Sequence, residues 1–308
     1  MKKVLVTEKL DAEAIRLLGS SKSLDLSINE KTIPETLVAD IGTYDAIIIR
    51  TYTQVTKEVL DSAKNLKLIV RAGVGLDNVD VSYAKAKGIE VRNTPRANFV
   101  SVAEHVFALS LSLLRNIPSA DRYVKDKKGW DRKLFIGEEL NGKVLGLVGI
   151  GLIGSHVACI AQAFGMEVMA YDPFVSAEIM KKEGVTKKED LLDIAHESDI
   201  VSVHVPLFDS THHMVGKEFL SSMKSTAIMV NTSRGPVIDQ EELISVLEKK
   251  KIKGAALDVF DSEPPTDRRL LSLDNVVLTP HLGAMTVEAD KRMCVHAAEE
   301  VIDFFKKK

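Results

Sequence analysis

Cysteine is almost missing from this chain. Cys159 and Cys294 are the only two among 308 residues. They have no metal-type spacing and are too few for a disulfide framework, so a reducing, cytoplasmic setting is expected. A surplus of positive charge is missing too. Lys and Arg number 41 against 44 Asp and Glu, a formal net charge of −3, which leaves no broad basic surface for a nucleic-acid backbone. The start lacks a secretory core: only Val4, Leu5 and Val6 separate Lys2 and Lys3 from Thr7, Glu8 and Lys9, where a signal peptide carries ~7–15 apolar residues. No Gly/Ser-rich linker, internal repeat or low-complexity tract is visible. Residues 144–166 lack charge and are long enough to span a membrane. However, Gly146, Gly149, Gly151 and Gly154 break the stretch early, so it reads as a buried strand, turn and helix with no membrane partner.

What is present is a mix of 45% hydrophobic and 28% charged residues, ordinary for a soluble globular protein. At ~150 residues per domain, two domains are expected. Apolar runs at 4–7, 24–28, 46–50, 68–71 and 89–93 precede a long helical stretch at 100–115. Six more follow, at 144–148, 167–171, 200–205, 227–231, 254–259 and 276–279. Most are continuous rather than alternating, as strands buried on both faces of a parallel sheet must be. Helical patterns lie between them, for example 239–250, so the class is α/β. The stretch 100–115, free of Pro and Gly, reads as a helix linking two lobes. A final helix at 286–305 is too short for a domain and is expected to pack back on the first lobe. Lys306, Lys307 and Lys308 then form a solvated helix end that complements the helix dipole. The expected domains are therefore 1–98 with 286–308, and 99–285. The polar loop 121–139 carries Trp130 and Phe135, to be packed locally or held in a subunit contact.

The strongest motif is Gly149-Ile150-Gly151-Leu152-Ile153-Gly154. It follows the run 144–148 directly, opens a helix at 155–164, and is followed by a second strand ending at Asp172. That spacing matches a dinucleotide fingerprint. Gly149 permits a tight turn, Gly151 lets the backbone approach a diphosphate, and Gly154 lets helix and strand pack closely. Free N–H groups at the helix start attract the diphosphate. Asp172 accepts from both ribose hydroxyls and repels a 2′-phosphate, so NAD is expected rather than NADP.

Three later segments put polar residues where strands end: Asn231-Thr232-Ser233-Arg234-Gly235, Asp258 through Pro265, and Thr279-Pro280-His281-Leu282-Gly283-Ala284. Ligands sit beyond the carboxyl ends of strands in open parallel sheets. Arg234, Glu263 and His281 are therefore expected to converge beside the cofactor. Their chemistry suits hydride transfer at a carbinol carbon. His281 is the acid/base, Glu263 fixes its ring tautomer, and Arg234 binds a carboxylate bidentately. His204, His212 and His213 form a rival cluster, but no Cys or carboxylate has ligand spacing to them and no metal is expected.

Across nearly its full length the chain resembles the D-specific 2-hydroxyacid dehydrogenases. The resemblance rests on NTPRANFVSVAEH, LNGKVLGLVGIGLIG, HVPL, NTSRGPVID, ALDVFDSEPP and TPHLGA together. It implies two Rossmann-like lobes: a dinucleotide-binding one with a doubly wound parallel sheet, and a smaller flavodoxin-like lobe for substrate. It also implies a cleft between them and a homodimer built through the NAD-binding lobe. By the same resemblance Arg234, Glu263 and His281 are the catalytic trio. Val74, Leu152, Ile153, Asp172, Val205, Thr232, Ser233, Asp258, Gly283 and Ala284 contact NAD. In one branch of the family, arginines matching Arg50 and Arg71 face a substrate phosphate, and amides around Gly73, Val74 and Gly75 hold the carboxylate. This implies oxidation of a D-2-hydroxy acid of the 3-phosphoglycerate type, in serine synthesis. A broader 2-oxo acid reductase and an NAD-sensing, corepressor-like binding protein are the alternatives. The sequence ends 27 residues after His281, so the regulatory domain of the longer relatives, and feedback through it, are not expected. Two positions depart from the family pattern. Arg96 stands where a small residue is usual, and Leu152 replaces a frequent Arg in the glycine turn.

Overall fold

A computed structural model describes residues 1–30 and 34–306, and every strand pairing in it is parallel. The chain divides into two units, Met1–Asn98 with Met285–Lys308, and Phe99–Ala284. Met285 thus joins the first unit, one residue before the expected boundary. Lys307 and Lys308, assigned from sequence to a helix end, lie outside the described residues.

The first unit contains β1 (Lys2–Val6), β2 (Leu24–Ile28), β3 (Ala46–Ile49), β4 (Leu68–Arg71) and β5 (Glu90–Asn93), in the order β2-β1-β3-β4-β5. The inner strands are apolar because helices cover both their faces: Val4, Val6, Ile47, Ile48, Ile49, Leu68, Ile69 and Val70 are all buried. The helix Val287–Lys306 packs on the helix Ala12–Ser20 and on β3 and β4. It turns Ala289, Met293, Ala297, Val301 and Phe304 inward, an apolar stripe at helical spacing.

The second unit contains β6 (Val144–Val148), β7 (Glu167–Tyr171), β8 (Thr186–Lys188), β9 (Ile200–Val203), β10 (Ile228–Asn231), β11 (Gly254–Leu257) and β12 (Val276–Leu278). Their order is β12-β11-β10-β9-β6-β7-β8. The strand β8 is absent from the sequence reading. It is a polar Thr-Lys-Lys at the sheet edge, paired only with β7, so no continuous apolar run marks it. Conversely, the runs 200–205, 254–259 and 276–279 overshoot. His204, Val205, Asp258, Val259 and Thr279 have left the sheet and begin the loops beyond its carboxyl edge.

The helix expected at 100–115 runs Phe99–Leu114 and packs within the second unit, on the helix Leu152–Ala163 and on β10 and β11. Among the described residues no single helix is long and apolar enough to cross a membrane. The stretch 144–166 divides into β6, a glycine turn and the helix Leu152–Ala163. Each sheet reverses its strand order once, between β1 and β3 in the first and between β6 and β9 in the second. At such points the covering helices diverge and leave room at the carboxyl edge.

Candidate active site

The glycine turn lies at the second sheet's switch point. Gly149 has φ +93°, and a Cβ there would come within 2.8 Å of Val205 Cγ1 and 3.1 Å of the His204 carbonyl. Only glycine lets the turn lie that close to the end of β9. A Cβ on Gly154 would stand 2.5 Å from the Gly149 carbonyl, so the helix packs onto the turn. A Cβ on Gly151 would meet nothing within 4 Å, leaving the backbone of the turn open to approach. The helix begins at Leu152, inside the motif rather than after it, and Gly151 at its N-cap supplies no side-chain acceptor for the first N–H groups. The Asp172 carboxylate is fixed by two amides, Ile150 N–H at 3.0 Å and Phe174 N–H at 2.9 Å. Beside this turn, His204 donates or accepts at 2.9 Å with Ser202 Oγ, while its Nδ1 and Thr232 Oγ1 are buried without a partner. Burial pushes the His204 imidazole down to about 4. Open turn amides, a fixed carboxylate and unpartnered polar atoms fit a dinucleotide held by its diphosphate, ribose and amide groups.

Three neighbouring loops, after β10, β11 and β12, carry the expected trio. After β10, the buried Asn231 shapes its turn. Its Oδ1 accepts from Ser233 N–H and Oγ–H, at 3.0 and 2.9 Å, and its Nδ2 donates to the Arg234 carbonyl at 2.9 Å. Gly235 then meets the next loop backbone to backbone: a Cβ there would lie 2.0 Å from the Phe260 carbonyl carbon. That loop brings Glu263, whose Oε1 accepts from Phe260 N–H at 3.3 Å and whose Oε2 lies 2.9 Å from His281 Nδ1. With Nδ1 donating to the carboxylate, Nε2 would be the nitrogen able to accept a proton. His281 and Glu263 are both exposed, His281 with left-handed backbone at φ +56°. For a non-glycine residue this costs on the order of 1 kcal/mol and persists only where neighbours enforce it.

The enforcing group is Asp258. Its carboxylate accepts from Thr279 Oγ1–H at 2.6 Å, Leu282 N–H at 2.7 Å and Gly283 N–H at 2.8 Å. Its carbonyl accepts from His281 N–H at 2.9 Å. His105, on the helix Phe99–Leu114, stands 3.3 Å from the same carboxylate and 3.2 Å from Thr279 Oγ1. Burial would raise the Asp258 carboxyl, but the donors from His105, Thr279, Leu282 and Gly283 outweigh it and hold it below the usual range. From sequence, Asp258 is expected only as an NAD contact and His105 has no role. A carboxylate after a strand looks the same whether solvated or saturated, so only the fold reveals the difference.

The other expected residues are placed as follows. Leu152 is exposed on the first turn of its helix, while Ile153 packs partly into the core. Val205, Ser233 and Ala284 are half-buried and Gly283 is buried. In the first unit, the Arg50 guanidinium pairs with Asp290 and donates to the Lys9 carbonyl at 2.9 Å. Arg71 Nε donates to the Arg50 carbonyl at 3.2 Å, and its guanidinium lies over Gly73, where a Cβ would come 2.5 Å from Nη1. The Gly73 N–H already donates to the Arg71 carbonyl at 3.0 Å, which leaves the amides of Val74 and Gly75 as the candidates there for a carboxylate. Arg96 is exposed. His212 and His213 stack at 3.9 Å, and among the described residues no group of three or more His, Cys, Asp or Glu can hold a metal ion.

Residues 107–283 match the family model described as D-isomer specific 2-hydroxyacid dehydrogenase, NAD binding domain. The chain belongs to that family, and its cofactor is NAD. It is 43% identical to a D-3-phosphoglycerate dehydrogenase of Methanocaldococcus jannaschii over 98% of its own length, but it spans only 57% of that relative. It is 45% identical to a hydroxypyruvate reductase of Thermotoga maritima over 97% of both chains. A D-lactate dehydrogenase of Aquifex aeolicus, solved with NAD and lactic acid, matches 99% of this chain and 96% of its own at 31% identity, with a TM-score of 0.86.

Proposed function

We propose that the protein oxidises a D-2-hydroxy acid at C2, or reduces the matching 2-oxo acid, and that 3-phosphoglycerate is the substrate. The observation that carries the reaction class is the 2.9 Å pair of Glu263, in the loop that packs on the one bearing Arg234, and His281, in the loop after β12. In the oxidative direction His281 Nε2 takes the hydroxyl proton while Glu263 holds the ring and steadies the imidazolium. Arg234 binds the carboxylate and turns C2 towards the cofactor side. Bound NAD supplies the acceptor for the hydride from C2. Arg50 and Arg71 are the proposed partners of the phosphate, with Val74 and Gly75 amides for the carboxylate. The phosphoglycerate assignment is supported by relatives of that name at 43–44% identity, and a role in cytoplasmic serine synthesis is proposed with it.

A broader 2-oxo acid reductase is the second reading. It is favoured by the Thermotoga relative, which matches end to end, and by the Asp290 carboxylate that already neutralises Arg50. An NAD-sensing role would not require an acid/base pair. We further propose a homodimer through the second unit. The helix Ile117–Lys125 buries none of its residues, and Trp130 and Ile136 just beyond it are each 80% exposed, whereas Phe135 packs on Tyr123.

A panel of 2-hydroxy acids assayed for NADH formation tests the substrate, with 3-phosphoglycerate expected to give the highest kcat/KM. His281→Asn should lower kcat by about three orders of magnitude while NAD still binds. Turnover at the original rate would refute the mechanism.

A further inference from the structure

The loop after β3 is held by a glutamate from the loop after β1. Four successive amides, those of Arg50, Thr51, Tyr52 and Thr53, converge on the Glu8 carboxylate. Arg50 and Thr53 N–H donate to Oε1 at 2.9 and 3.0 Å, and Thr51 and Tyr52 N–H donate to Oε2 at 3.2 Å each. Such a run of converging N–H groups is an anion-binding nest. It stands at the switch point of the first sheet, where α/β folds bind ligands. The carbonyl side of the same loop is tied as well. Asn78 Nδ2 donates to the carbonyls of Arg50 and Thr53 at 2.9 and 2.7 Å, and Thr7 and Thr53 hydroxyls meet at 2.7 Å. Burial alone would raise the Glu8 carboxyl, yet the amides of Thr53, Arg50 and Tyr52 hold it below its ordinary value.

We propose that Glu8 is a positioning residue for substrate recognition: its carboxylate fills the anion nest of loop 50–53 and so fixes the backbone from which Arg50 projects. This rests on the reading of that loop as substrate-facing. A built-in anion has two effects. It sets the direction of the Arg50 side chain through the amide at its own Cα. It also closes the four amides to phosphate, so a substrate's tail is recognised by arginine side chains alone.

The test uses full-length protein with NAD, 3-phosphoglycerate and D-lactate as substrates, and acetate as the probe of the nest. Glu8→Gln and Glu8→Ala should raise KM for 3-phosphoglycerate about tenfold and leave kcat and KM for NAD nearly unchanged. Amide exchange at residues 50–53 should quicken in both. Rising acetate should restore protection and KM in Glu8→Ala but not in Glu8→Gln, whose side chain still occupies the nest. If Glu8→Ala does not fold, the near-isosteric Glu8→Gln carries the kinetic and exchange readouts. Unchanged exchange at 50–53, or no acetate effect on folded Glu8→Ala, overturns the proposal itself. Faster exchange with acetate rescue, but an unaltered KM for both acids, overturns the reading of the loop as substrate-facing, and the recognition role with it.

Discussion

At the switch point of the second sheet, Gly149, Gly151 and Gly154 strip side chains from the turn; at that of the first, Glu8 puts one in. Both places gather backbone N–H groups at the carboxyl edge of a parallel sheet, and both are electrostatically suited to an anion. They differ in whether the chain itself supplies it. Where glycines leave the amides open, a diphosphate can bind. Where a carboxylate reaches in first, the same geometry becomes a brace. A binding crevice is therefore identified by unsatisfied donors as well as by topology.

The comparison breaks most readily at Gly149. Gly149→Val should weaken NAD binding by about two orders of magnitude or more, because the new side chain strikes Val205 and forces a left-handed backbone. Calorimetric titration with NAD reads this directly, and retained affinity would show that the open turn is not where the diphosphate lies. A smaller effect is expected at Asp172. Asp172→Ser should cost NAD about tenfold in affinity, the scale of a charged hydrogen bond, and narrow the gap to NADP. Equal use of both cofactors by the unaltered protein would remove the role given to this carboxylate.

The smallest effect sharpens the likeness between the two braces. Glu8 and Asp258 both have carboxyls depressed in the folded state. Each therefore contributes stability that is present above its unfolded value, about 4, and is lost as pH falls through the lower folded value. Thermal denaturation from pH 7 to pH 3 should show the midpoint falling below about pH 4, with a shallower fall in Asp258→Asn and in Glu8→Gln. Parallel curves for all three proteins would mean that neither carboxylate is held by its amides in solution.

Much of the α/β organisation was legible because buried parallel strands are continuous apolar runs. The glycine motif was legible because its spacing is a steric requirement. The edge strand β8 was not, since a strand paired on one side needs no apolar run. The polar loops at the strand ends were legible, but the tethers within them were not. In the sequence Glu8 carries no signal and Asp258 is marked only as a cofactor contact, and their donors come from residues far along the chain. Arg50 shows the same limit from the other side: a basic residue at a strand end invites a phosphate, while its partner Asp290 lies 240 residues away.

The contact between Gly235 and Phe260 carries a mechanical consequence. With no space for even a methyl group between the two main chains, Arg234 and Glu263 ride on a single block. In the proposed mechanism, a substrate that tugged on the guanidinium through its carboxylate would also shift the acid behind the imidazole. Capture of the substrate and readiness of the proton acceptor would then be geared together, and a bulkier residue at 235 would unmesh them without touching either side chain.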